Sequence, residues 1–141
     1  INYKDADWYE QLVEAAPERL DVIFDNVGGT ILNESLRLIG MHGVVLLCGS
    51  TSQYTEEEMS GPSNYIWLGT MRARMQGFVI FDYVERYSEA RARMARWIRD
   101  GRLKIPSYEV TGDVDVFPEA FQRLYEGKNL GKMLLKLPAA T

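Results

Sequence analysis

The chain has 141 residues, 46% hydrophobic and 26% charged, the length and composition of one average globular domain. Sixteen basic against twenty acidic residues leave a net charge of −4, which argues against a nucleic-acid binder working through bulk electrostatics, because phosphate neutralisation needs a basic face. The longest strictly apolar run, Val44 to Cys48, falls far short of the about 20 residues a helix needs to cross a bilayer, so no membrane partner is expected.

No secretory leader is visible. The single cysteine, Cys48, excludes an internal disulfide framework and points to a reducing, cytoplasmic setting. One histidine, His42, beside one cysteine is too little for a zinc site built from this chain alone. Ile1-Asn2-Tyr3-Lys4-Asp5 reads as a strand end running into a turn, so the chain is expected to start inside a larger unit.

After Asp5, residues Trp8, Leu12, Val13 and Ala16 recur at helical spacing, and Pro17 ends that helix. Leu20 to Asp25 is a mostly apolar run suited to a parallel strand covered on both faces. Gly28-Gly29 breaks it. A helix over about Thr30 to Ile39 would carry Ile31, Leu32, Ser35, Leu36 and Ile39 on one stripe, with Gly40 just past its end. A turn at Met41-His42-Gly43, with His42 solvated, leads to a second buried strand, Val44 to Cys48. Strand, helix and strand with short glycine-rich links form the pattern of a βαβ unit.

From Gly49 to Ser60 the composition turns polar, giving a loop long enough to suggest a functional segment. Gly61 to Asn64 leads into a helix expected to reach Arg74, followed by a strand from Gln76 to Phe81. A further helix, about Arg86 to Asp100, has Tyr87, Ala90, Met94, Trp97 and Ile98 on one face. Its Arg91, Arg93, Arg96 and Arg99, interleaved with Glu89 and Asp100, read as a solvated face. Leu103 to Val110 and Val114 to Phe117 are strand-like. Pro118 suits the first turn of a helix from Glu119 to Glu126, and Asn129-Leu130-Gly131 turns the chain into a last strand, Lys132 to Leu137.

Seven ordered blocks carry a resemblance that covers nearly the whole chain. They are Ile1-Asn2-Tyr3-Lys4, Phe24-Asp25-Asn26-Val27-Gly28-Gly29, Cys48-Gly49-Ser50-Thr51-Ser52-Gln53-Tyr54, Gly61-Pro62-Ser63-Asn64-Tyr65, Arg72-Ala73-Arg74-Met75-Gln76-Gly77-Phe78, Pro118-Glu119-Ala120-Phe121 and Glu126-Gly127-Lys128-Asn129-Leu130-Gly131-Lys132. In this order they resemble the C-terminal half of the medium-chain dehydrogenase/reductase superfamily, and within it the zinc-independent, NADP-dependent alkenal or enone reductases. The resemblance implies an α/β fold: a partial Rossmann fold, the second half of a doubly wound parallel sheet, with a C-terminal helix and return strand. It implies a cofactor domain over 1–110, holding strands four to six, and a return segment over 111–141. No G-x-G-x-x-G phosphate loop is present, and Asn26-Val27-Gly28-Gly29 is a different kind of turn.

The resemblance also assigns residues. Asn26 and Gly28 would meet the cofactor at a strand end, against the plainer reading of a strand-to-helix turn. Cys48, Gly49, Ser50, Thr51 and Ser52 would form the loop beside the nicotinamide ribose, with Cys48 a small buried residue and not a nucleophile. Phe78, Val79 and Ile80 would line the nicotinamide, although the same residues read equally as a plain buried strand. Tyr54 would donate a hydrogen bond or proton to the enolate formed as NADPH reduces an α,β-unsaturated carbonyl. Two other readings of Tyr54 stay open: positioning the cofactor ribose, and an exposed loop tyrosine. Asn129 would lie near the nicotinamide end, or serve only as a turn residue, and Tyr3 beside the adenosine phosphate. The implied partners are an enone or enal substrate and a second copy in a homodimer, which would hide an open sheet edge. Without the phosphate loop and the N-terminal domain, this portion is expected to be inactive alone. The competing reading is a free-standing, non-catalytic α/β module that dimerises or binds a small molecule.

Overall fold

A computed structural model describes residues 1–127 and 129–138. The chain divides into two compact units, Ile1–Asp82 and Tyr83–Thr141. Among the described residues, no helix is long and apolar enough to cross a membrane.

The first unit opens with α1 (Trp8–Ala15), β1 (Leu20–Asp25) and α2 (Gly29–Leu36), all close to their expected places. It continues with β2 (Ile39–Leu47), α3 (Ile66–Thr70) and β3 (Arg74–Gly77). The three strands form one parallel sheet in the order β1-β2-β3, so all their carboxyl ends lie along the same edge. Leu32 and Leu36 of α2 pack with Ile39 and Val45, and Ile23, Trp67, Leu68 and Met75 close around them. The helices α2 and α3 therefore contribute to one core against one face of the sheet.

The other face of β1 is not covered as expected. Val22 and Phe24, which alternate with the inward Ile23, are 58% and 54% exposed. The end of α2 also differs. The helix stops at Leu36, and Gly40 lies inside β2, not at a helix end. Arg19 explains the early switch: its guanidinium donates to the carbonyls of Arg37 and Ile39, and Leu20 N–H bonds Leu38 O. These contacts turn the chain out of the helix and into the sheet. The expected turn Met41-His42-Gly43 is absorbed into β2 as a bulge. Leu20 pairs with Ile39 but Val22 pairs with Val44, and His42 takes φ 61 while its N–H reaches Met71 O.

The expected helix to Arg74 is shorter, a 3₁₀ turn at Ser63–Tyr65 leading into α3. The expected strand Gln76 to Phe81 is displaced to Arg74–Gly77. Phe78 N–H makes the last bond to Leu47 O, after which Ile80–Arg86 coils into 3₁₀ turns. Phe78-Val79-Ile80 is therefore not a buried strand, and Val79 and Ile80 are more than half exposed.

The second unit holds α4 (Tyr87–Arg99), β4 (Ser107–Thr111), α5 (Phe117–Tyr125) and β5 (Lys132–Lys136). β4 and β5 pair in parallel. The sequence-based boundary at 110 falls within β4. Arg93 and Arg102 lie over the Trp97 ring, at 4.9 and 5.8 Å from its centroid, so part of the basic face of α4 is spent on its own aromatic residue. Val114–Val116, expected to be extended, is a 3₁₀ turn capped by the Asp113 carboxylate on Val114 N–H. Pro118 takes the first turn of α5 as expected.

Candidate functional site

The carboxyl ends of β1, β2 and β3 open into a cleft of about 400 Å³. Clefts outside strand carboxyl ends are where open parallel sheets bind ligands. Its base is formed by the turn after β1 and the start of the long loop after β2. Asp25 ends β1 with its carboxylate turned back on the chain. One oxygen accepts Val27 N–H at 3.1 Å, and both accept Gly28 N–H, at 3.0 and 3.1 Å. This side-chain turn closes β1 and starts α2. Gly28 then adopts φ 71 and ψ −151, a region that is essentially glycine-only.

Asp25 also reaches across the sheet. Its carbonyl accepts Cys48 N–H at 2.7 Å and Gly49 N–H at 3.3 Å. Asn26 O accepts Thr51 N–H, and Val27 O accepts both the Ser52 N–H and the Ser52 hydroxyl. The turn after β1 and the loop after β2 are thus stitched by five hydrogen bonds. The long polar loop is tied down further on. Gln53 Oε1 accepts Ser60 N–H at 2.8 Å, and Asn33 of α2 holds Ser63 and Asn64.

Several expected residues line this cleft: Gly28, Cys48, Gly49, Ser50, Phe78 and Val79. Asn26, Thr51 and Ser52 sit in the same stitched loops but outside its lining. Cys48 is exposed, not buried. Tyr54 is 67% exposed and follows the 3₁₀ turn Thr51–Gln53, also outside the lining. Ile80 is more than half exposed and does not line the cleft, and Tyr3 is exposed in the first turn, with Lys4 Nζ 5.9 Å from its ring centroid. Asn129 belongs to the second unit, where its side-chain amide bonds Gly131 O at 2.8 Å as a local turn.

Asp25, Gln53, Met59 and Ser60 line the cleft and were not singled out by sequence. Asp25 had a readable signal, an aspartate ending an apolar strand just before a glycine pair, as side-chain turns require. Gln53, Met59 and Ser60 had none, because a polar loop has no periodicity to mark its inward residues.

Metal fits this site poorly. Among the described residues no group of three or more His, Cys, Asp or Glu could hold an ion, and His42 sits inside β2, six residues before Cys48, which follows the strand's last residue. A nucleotide fits better in part. The cleft offers glycine backbone, hydroxyls and the Phe78 ring, but no lysine or arginine to meet a phosphate.

Known proteins resemble the chain closely. A family model described as zinc-binding dehydrogenase matches residues 1–135. The NADP(+)-dependent 2-alkenal reductase of Nicotiana tabacum is 33% identical, over 96% of this chain and 39% of its own length. The NADPH-dependent curcumin reductase of Escherichia coli is 31% identical, over 93% of this chain and 39% of its own length. CurA of Vibrio vulnificus, solved in complex with NADPH, superposes with a TM-score of 0.86 at 36% identity, covering 99% of this chain and 43% of that one. The chain thus spans about two fifths of the length of the curated relatives it matches.

Proposed function

The chain belongs to the zinc-binding dehydrogenase family, and from that premise we propose that its cleft holds the nicotinamide and ribose end of NADPH in a reductase of α,β-unsaturated carbonyls. One observation carries the reading: the carboxyl ends of three parallel strands share one edge and open into a single glycine-lined cleft. The relatives named for alkenal and curcumin reduction support the substrate class. The absence of metal-holding clusters among the described residues leaves this chain's part of the chemistry to hydrogen bonds and apolar surface.

When bound, NADPH supplies a hydride to the β-carbon of the enone. The chain's own residues bind and orient. Gly28 and Gly49 let the cofactor approach the backbone, Ser50 offers a hydroxyl to the ribose, and Phe78 shields the nicotinamide ring from water. Tyr54 completes the reaction in this reading, its hydroxyl donating a proton to the α-carbon of the enolate. Asn26, Thr51, Ser52, Val79, Ile80 and Tyr3 would be supporting cofactor contacts within the proposal. The protein works as a homodimer in the cytoplasm, consistent with the open edge of β3 and the single free thiol of Cys48.

Titration of the isotope-labelled chain with NADPH, followed by amide NMR, tests the proposal. The expected result is weak binding with shifts confined to Gly28, Gly49, Ser50 and Phe78. Shifts elsewhere, or none at millimolar cofactor, would leave the cleft without this role and favour the non-catalytic module.

A further inference from the structure

Helix α4 gathers positive charge that the rest of the chain lacks. Seven cations and two carboxylates give the stretch 86–104 a net charge of +5, within a chain of net −4. Arg93, Arg96 and Arg99 follow one another at every third position, where like charges on a helix repel. The acidic neighbours do not relieve them. Glu89 pairs with Arg86 at 3.6 Å, and among the described residues no ion pair reaches Arg91, Arg93, Arg96, Arg99 or Arg102. The helix dipole favours Arg96 and Arg99 in the last turn, but not Arg91 and Arg93 in the middle.

The opposite side of α4 is apolar and uncovered. Ala90, Met94 and Ile98 repeat every four residues and so form one row along the helix. Met94 and Ile98 are 43% and 42% exposed, and the helix has no buried residue. The helical turn sets Arg91 along one border of this row and Trp97, then Arg93, along the other. An apolar row edged by arginine and tryptophan, with further arginine behind it, is the pattern of a helix lying in the plane of a bilayer surface. The row enters the acyl boundary, and the guanidinium groups stay at the level of the lipid phosphates. Lying on a bilayer needs no spanning segment, so the shortness of the apolar runs does not bear on it. Single-stranded nucleic acid matches the helix less well. It needs bare aromatic faces for its bases, whereas the Trp97 ring already carries Arg93 and Arg102, and it would leave Met94 and Ile98 in water. We propose that α4 is a docking surface for anionic lipid, whose head groups supply the negative charge that Arg91, Arg93, Arg96 and Arg99 lack within the chain. This inference is independent of the reductase reading, which rests on the first unit.

Cosedimentation of the 141-residue chain with lipid vesicles tests it. Vesicles with about 30% phosphatidylserine in phosphatidylcholine should carry the chain down, vesicles of phosphatidylcholine alone should not, and salt raised to about 0.5 M should release it. Arg96→Gln with Arg99→Gln keeps two good helix formers and should weaken binding roughly twentyfold, since each cation near such a surface contributes about fivefold. Arg96→Glu with Arg99→Glu should weaken it further. Met94→Ser with Ile98→Ser should cost roughly tenfold while the salt dependence stays in place. No binding to the phosphatidylserine vesicles, equal binding to both kinds, or native binding by either arginine double variant overturns the proposal. Native binding by Met94→Ser with Ile98→Ser also overturns it, because the apolar row would then not enter the lipid. Capture of polyuridylate by the chain, with the phosphatidylserine vesicles left unbound, overturns it in favour of nucleic acid.

Discussion

Gly29 and Ser52 approach so closely that a Cβ on Gly29 would lie 2.7 Å from the Ser52 hydroxyl oxygen. That hydroxyl cannot simply swing away, because it donates to Val27 O at 2.6 Å. Gly29 also takes φ 54, a left-handed conformation costing other residues about 1–2 kcal/mol. Gly29→Ala is therefore expected to destabilise the first unit by about 2 kcal/mol. Ser52→Ala in the same chain should return part of the loss, because the remaining contact, Ser52 Cβ, lies at 3.3 Å. Urea unfolding of the two single variants and the double checks this. Strict additivity would mean that Gly29 is constrained by its own backbone alone.

Asn33 holds the far end of the polar loop. Its side-chain oxygen accepts the Ser63 hydroxyl and Asn64 N–H, and its carbonyl accepts the Asn64 side-chain amide. Asn33→Ala removes the first two bonds, together with a local one from its Nδ2 to Glu34 Oε1, and keeps the third. At about 0.5–1.5 kcal/mol for each hydrogen bond, losing the two that hold the loop costs about 1–3 kcal/mol in the segment around Ser63 and Asn64. Amide hydrogen exchange should show Asn64 losing protection while Val45, in the centre of β2, keeps its own. Equal loss at both positions would make Asn33 a residue of global stability only.

Much of this architecture is legible in the sequence because it follows from periodicity. The apolar run Leu20 to Asp25 gives β1 with its boundaries intact, and the stripe Leu32, Ser35 and Leu36 is the buried face of α2. The failures lie where a single distant side chain redirects the backbone. No local signal reveals that Arg19 reaches the carbonyls of Arg37 and Ile39, and those bonds move the start of β2 ahead of Gly40. Phe78 to Ile80 looks like a strand by propensity, but its pairing ends where β2 ends, at Leu47. Within the cleft, Gly28, Gly49 and Ser50 were visible as breaks after apolar runs, whereas Gln53 and Ser60 meet through a loop closure that composition does not encode.

Arg19 itself offers a test of that redirection. It holds φ 72, two carbonyls and a position 5.5 Å from the Trp67 ring centroid. Lysine keeps the charge but lacks the planar fork that reaches both carbonyls. Arg19→Lys is expected to cost about 1–2 kcal/mol and Arg19→Ala somewhat more, seen as lower urea midpoints with unchanged slope. If Arg19→Lys matches the native midpoint, the charge over Trp67 is what matters and the fork is dispensable.

Tyr54 separates two chemical roles within the proposed reaction. Tyr54 is 67% exposed, so its side chain is open to a ligand. Tyr54→Phe deletes only the hydroxyl. If that hydroxyl delivers the proton to the enolate, kcat for an alkenal should fall in the complete protein by about 10²–10⁴-fold, with KM for NADPH little changed. If it merely positions the ribose, KM for NADPH should rise while kcat at saturating cofactor holds. Native kinetics on both counts would reduce Tyr54 to an exposed loop tyrosine and move the proton source outside this chain.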